Sequence, residues 1–162
     1  MGAEIETTED GHHIVVGGRR WRATDPAIPE TLKAQLVGAL MDARRAVKAD
    51  GDAARHRVQD AKVALGERGD PWWEEATTEG LTTRIDSTIR ALLRRRPDGT
   101  ICPSEVSRVV GGDGWRDLMD AVRDRAWALR DRGEVDVLQA GAPVEPGARG
   151  PIRIGRGPQF PE

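Results

Sequence analysis

Paired carboxylates abound but fall on exposed helix faces, where they stay ionised and inert. The histidines and cysteine able to act as nucleophile, base or metal ligand are few: His12, His13, His56 and Cys102. His12 and His13 are adjacent in a strand-like run, which turns their rings to opposite faces and makes a poor metal pair. Cys102 is the only cysteine, so no disulfide framework and no cysteine zinc site can form within the chain. It stands where Ser or Thr would cap a helix, without an identifiable base beside it, and reads as a capping or buried thiol. The sequence contains no Walker loop, dinucleotide fingerprint, H-E-x-x-H or G-x-S-x-G. No catalytic residue, cofactor or metal ligand is therefore expected. The remaining chemistry is that of guanidinium groups, which pair with carboxylates or phosphates. Two sets are candidate nucleic-acid contacts: Arg116, Arg123 and Arg130 at seven-residue spacing, and Arg149, Arg153 and Arg156 in a stretch free of acids from Pro146 to Phe160.

The first set must be carried by a helix. From Trp115 to Arg132, Trp115, Leu118, Met119, Val122, Ala126 and Leu129 fall on one face at 3.6 residues per turn. Asp117, Asp120, Asp124 and Asp131 lie opposite, and the three arginines form one flank with Trp127 among them. Phosphates repel such an acidic face, so the helix cannot enter a major groove head-on. The flank could touch a backbone from the side, with Trp127 stacked on Arg123. Alternatively, the charges only pair along a solvated face, as Arg116–Asp120 and Asp120–Arg123. Leu118 is expected at the centre of the core.

Before this helix, Thr83 and Asp86 mark a capping-box-like start, and Leu81, Ile85, Ile89, Leu92 and Leu93 define a helix ending at Arg94-Arg95-Arg96. Thr100-Ile101-Cys102 suits a short edge strand, and Pro103 to Val110 a further helix. After Gly133, Val135 to Gln139 and Ile152-Arg153-Ile154 form a hairpin with a long Gly/Pro tip, whose arginines could reach phosphates. The motifs Cys102-Pro103-Ser104-Glu105-Val106, Trp115-Arg116-Asp117-Leu118-Met119, Val122-Arg123 and Gly150-Pro151-Ile152-Arg153 resemble a bacterial domain family of unknown function with a winged-helix-like fold. The resemblance covers about residues 82–156. It implies a helix-turn-helix with a wing and transfers no catalytic residue. DNA binding follows only by analogy of fold.

The first half begins with a polar tail, residues 1–11. Two short strands, His12 to Val16 and Arg20 to Ala23, flank Gly17-Gly18, with Ile14, Val16 and Trp21 expected inward. The tip Gly17-Gly18-Arg19-Arg20-Trp21-Arg22 reads either as an anion-binding site or as a solvated hairpin with a buried Trp. Leu32, Leu36, Leu40, Ala43 and Val47 define a helix from about 29 to 49. Val58, Ala61 and Leu65 define a second, antiparallel to the first. Trp72-Trp73 either plug the open end of this helical hairpin or form a partner site. Ile14-Val15-Val16, Trp21-Arg22 and Ala61 to Gly69 followed by Trp72-Trp73 resemble short bacterial proteins often filed as biopolymer transporter Tol. That resemblance covers residues 12–73 and implies no catalytic residues.

The expected class is α+β, mostly α: a β-hairpin and αα-hairpin domain at 1–73, a linker at 74–80 and a winged-helix-like domain at 81–162. Of 25 basic residues only Lys33, Lys48 and Lys62 are lysines. With the Ala, Gly, Val and Asp usage, this bias fits a GC-rich bacterial genome and weakens arginine abundance as a sign of nucleic acid. Residues 1–79 carry 11 cations against 15 anions, and residues 80–162 carry 14 against 12, so neither half is strongly basic. The N-terminus lacks the apolar stretch of a signal peptide, and no apolar run approaches a membrane span. A cytoplasmic location is expected. The functional expectation is a non-catalytic protein-interaction module, the alternative being a nucleic-acid-binding winged helix that uses its basic wing. Its partner is thus a protein or DNA, with no membrane.

Overall fold

The structure is a computed structural model describing residues 5–162. Residues 1–4, the start of the expected polar tail, lie outside the described residues. Strands β1 (Glu6–Thr7), β2 (His13–Val16) and β3 (Arg19–Arg22) form an antiparallel sheet in that order. The β2–β3 turn has positive φ at both Gly17 (55°) and Gly18 (77°), the backbone a two-residue hairpin of this hand requires. The added strand β1 lies within the expected tail, where Thr8 and Asp10 tie the chain back to the start of β2. Trp21, expected inward, is 41% exposed on β3, with Lys62 Nζ 5.3 Å from its ring. Ile14 and Val16 are half-buried.

Helices α1 (Glu30–Asp50) and α2 (Arg55–Ala64) are joined by a 3-10 turn, Gly51–Ala54. Leu32, Leu36, Leu40 and Ala43 are buried along α1 as their spacing requires. Helix α3 (Thr78–Arg94) begins five residues before Thr83. Thr77 is its N-cap, with Oγ1 accepting from the Gly80 N–H at 3.0 Å. Asp70 holds Thr77 in turn, accepting from its N–H and its hydroxyl, each at 2.8 Å. The stretch expected to be a linker, 74–80, is thus helical from Thr78 onward.

Helix α4 (Pro103–Gly111) starts at the Cys102 N-cap, whose N–H donates to Glu105 Oε1 at 2.9 Å. The long helix expected from Trp115 is split: Gly112–Leu118 is 3-10, and helix α5 spans Met119–Asp131. Gly111, Gly112 and Gly114 weaken helical propensity here, and the Ser107 hydroxyl donates to the Trp115 carbonyl. The consequence is a phase shift. Val122, Ala126 and Leu129 are buried, whereas Trp115, Leu118 and Met119 are only half-buried. Leu118 is therefore not the central core residue its spacing suggests.

The second sheet has β4 (Val135–Gln139) at its centre, with β5 (Ala142–Pro143) on one side and β6 (Arg153–Arg156) on the other. The short strand β5 replaces part of the long tip expected between β4 and β6. Ile101 bridges Ile154 through two backbone bonds of 2.8 and 2.9 Å, an isolated bridge in place of the short strand expected at 100–102. Buried side chains from both halves share one core, with Leu36 and Leu65 joined to Ile85, Ile89, Leu92, Leu129 and Ile154. The fold is α+β and rich in helix, and no helix among the described residues is long and apolar enough to cross a membrane.

Candidate functional site

Arginines at and beyond α3 pair with acids of the first half, two of those acids buried. Arg84 Nη2 meets Asp25 Oδ2 at 3.0 Å, Arg94 Nη1 meets Asp60 Oδ2 at 2.7 Å and Arg95 Nη1, just past the helix end, meets Asp42 Oδ2 at 2.6 Å. Arg96 chelates the Glu105 carboxylate, and Arg125 on α5 makes a fork with Asp86 through bonds of 2.9 and 2.8 Å. Burial pushes the Arg84 guanidinium below its usual range, opposed by the Asp25 charge. These pairs join elements distant in sequence, and of them only the triple-arginine run at the helix end is legible in the sequence.

Of the six candidate nucleic-acid arginines, most are engaged by the protein itself. Arg156 lies half-buried, donating twice to the Leu93 carbonyl at the end of α3 (3.3 and 3.1 Å) and pairing with Glu162. Arg130 meets Glu145 at 3.0 Å and lies 5.8 Å from the Trp127 ring, in place of the expected Arg123–Trp127 stack. Arg123 donates to the Gly150 carbonyl at 3.2 Å. Arg153 donates to Thr100 Oγ1 and to its carbonyl at 3.0 and 3.1 Å. Arg116 precedes α5 and lies 4.4 Å from the Trp115 ring, which Arg108 also contacts at 4.4 Å. Arg149 is exposed. The stripe of three is thus reduced to Arg123 and Arg130 on α5, while Asp117, Asp120, Asp124 and Asp131 are all exposed as expected.

A groove of about 670 Å³ runs between the 68–77 loop, the first turns of α3 and the α4–α5 junction. Val63, Trp72, Leu81, Val110 and Leu118 supply its apolar lining. Asp70, Glu74, Glu75, Glu79 and Asp117 supply carboxylates, against Arg68 and the Arg84 already paired with Asp25. Hydrogen bonds from the Thr77 hydroxyl and N–H hold Asp70 below the usual carboxylate range. Leu118 packs over Gly111, where a Cβ would approach its Cδ1 to 3.0 Å. Its half-burial therefore serves the groove wall.

The two tryptophans take a third arrangement. Trp72 Nε1 donates to the Ala23 carbonyl at 2.9 Å and lines the groove. Trp73 stacks on His12 at 4.0 Å, nearly parallel, and meets Trp72 edge-on. They pin the first sheet to the end of α2. His12 is thereby used in packing. Among the described residues, no group of three or more His, Cys, Asp or Glu is placed to hold a metal ion.

Residues 82–157 match a family described as a protein of unknown function, DUF3253. The matched stretch, a little under half the chain, runs from the second turn of α3 through β6. No curated protein matches the chain. The groove straddles the start of the matched stretch, since its loop and the first α3 turn precede residue 82.

Proposed function

We propose that this protein is a non-catalytic interaction module, built on a winged-helix-like arrangement, that receives a basic segment of a protein partner in the acidic groove. The observation that carries this reading is the groove's composition: an apolar lining beside five carboxylates, with one of its two cations already neutralised. Apolar contact supplies affinity there, and the carboxylates select positive charge and accelerate encounter. The order helix, edge residue, two helices and paired strands from α3 to β6 supports the winged-helix-like description. The exposed aspartates of α5 oppose phosphate, and Arg130 and Arg156 are engaged with carboxylates. Both observations favour a protein partner over DNA at this half.

The test is anisotropy of a fluorescein-labelled peptide of alternating Lys-Leu pairs, titrated with the full chain while Trp emission is followed. Saturable binding is expected, weakened by the double change Glu74→Lys, Glu75→Lys and indifferent to Arg149→Ala. Binding that ignores the charge reversal, or no binding at low salt, would refute the assignment.

A further inference from the structure

Strand β3 divides its side chains between two faces, as alternation requires. Arg20 and Arg22 turn toward His13 and Trp73: Arg20 Nη2 lies 3.2 Å from His13 Nδ1, and Arg22 lies 5.7 Å from the Trp73 ring. Arg19 and Trp21 share the opposite face. Trp21 is 41% exposed there, with Arg19 Cζ at 4.9 Å and Lys62 Nζ at 5.3 Å from its ring centroid. Lys62 extends this surface along α2. Burial pushes its ammonium below the usual range, an effect Glu67 opposes and Arg68 and Arg44 reinforce. Beside it lies a shallow recess of about 300 Å³ lined by Arg44, Arg55 and Arg68 over Val47 and Val58.

The charges on this face are unequal. Asp52 balances Arg55 at 2.6 Å, and Glu67, which accepts from Thr24, lies near Lys62. Arg19, Arg44 and Arg68 remain in excess of these two carboxylates. An acidic peptide would satisfy the cations and leave the exposed indole unused. A nucleobase uses both, its π-face on the indole and its phosphates on the cations. Stacking on an exposed indole requires an unpaired base, which excludes an intact duplex. We propose that the face formed by Arg19, Trp21, Lys62, Arg44 and Arg68 binds single-stranded nucleic acid, with a base on Trp21 and the backbone crossing α2 toward Arg44. This face meets the groove at Arg68, which lines both, and excludes the wing arginines.

The full chain is titrated against a fluorescein-labelled oligothymidylate of about 15 nucleotides, with anisotropy read at several salt concentrations. Binding is expected at low salt and falls steeply as salt rises. Trp21→Ala lowers affinity about fivefold or more, whereas Trp21→Phe retains most of it. Arg44→Gln with Arg68→Gln reduces the slope of log affinity against log salt by about 0.7 for each phosphate that is no longer neutralised. All three positions are exposed, and thermal melts verify that the variants stay folded. Absence of low-salt binding, or equal affinity for Trp21→Ala, overturns the assignment. So does loss of binding on Arg149→Ala with Arg153→Ala, which places nucleic acid on the wing. Displacement by polyglutamate together with indifference to Trp21→Ala identifies an acidic protein site and overturns it as well.

Discussion

Replacing Arg84 by Met should be among the costliest single changes in this protein. The guanidinium reaches Asp25 Oδ2 at 3.0 Å, the Ala64 carbonyl at 3.3 and 3.2 Å and the Val109 carbonyl at 3.3 Å. Ala64 ends α2 and Val109 lies in the last turn of α4, so one cation serves two helix C-termini as well as a buried carboxylate. The side chains of Arg84 and Asp25 are 14% and 9% exposed, well below the exposure at which ion pairs contribute little. After Arg84→Met, Asp25 keeps the Ala27 N–H at 2.9 Å and is deprived of its counter-charge. Removing one partner of a buried pair typically costs about 3–5 kcal/mol, and that figure is expected here. It is a large share of the roughly 5–15 kcal/mol that stabilises a domain. Urea unfolding followed by tryptophan fluorescence and circular dichroism measures the loss. Adding Asp25→Asn to Arg84→Met should recover about 1 kcal/mol or more relative to the sum of the single changes, because no buried charge is then left alone. A loss below about 1 kcal/mol for Arg84→Met, with full additivity in the double variant, would show that this ion pair does not organise the core.

Leu92→Ala removes a fully buried side chain and should cost about 2–5 kcal/mol, whereas half-buried Leu118→Ala should cost about 1 kcal/mol or less; equal losses in denaturant melts would contradict the phase shift before α5. Ala for Gly in a helix usually gains up to about 1 kcal/mol, but a Cβ on Gly80 overlaps the Asp70 carboxylate that Thr77 holds, so Gly80→Ala should lower the Tm. The same clasp gives a pH signature. The Asp70 pKa is depressed in the folded state, so its stabilisation is present above the ordinary value of about 3.9 and is lost as pH falls through the folded-state value. Asp70→Asn should flatten that part of the acid-side Tm profile, and an unchanged profile would contradict the clasp.

Much of the local structure is legible in the sequence because it depends on residues a few positions apart. The apolar phases of α1 and α3, the Gly17-Gly18 turn and the capping position of Cys102 follow from 3.6-residue periodicity and from cap and turn chemistry. The long helix through Trp115 fails at its start, where propensity yields to the glycines and to a hydrogen bond from Ser107 on another helix.

What only the tertiary structure decided is the fate of the charges and of the aromatic residues. A guanidinium looks the same in sequence whether it faces solvent or a buried acid. Arg84 finds Asp25 across 59 positions, Arg94 finds Asp60 across 34, and Arg156 finds the Leu93 carbonyl across 63. Each choice is made by helices packing over one core, which brings distant groups within bonding reach and excludes the water that would otherwise screen them. For the same reason, β-alternation assigns Trp21 a face of its strand, but only the packing of the sheet on its neighbours decides that it stays 41% exposed. Asp70 is likewise an ordinary loop acid until Thr77 folds back onto it and α3 starts there.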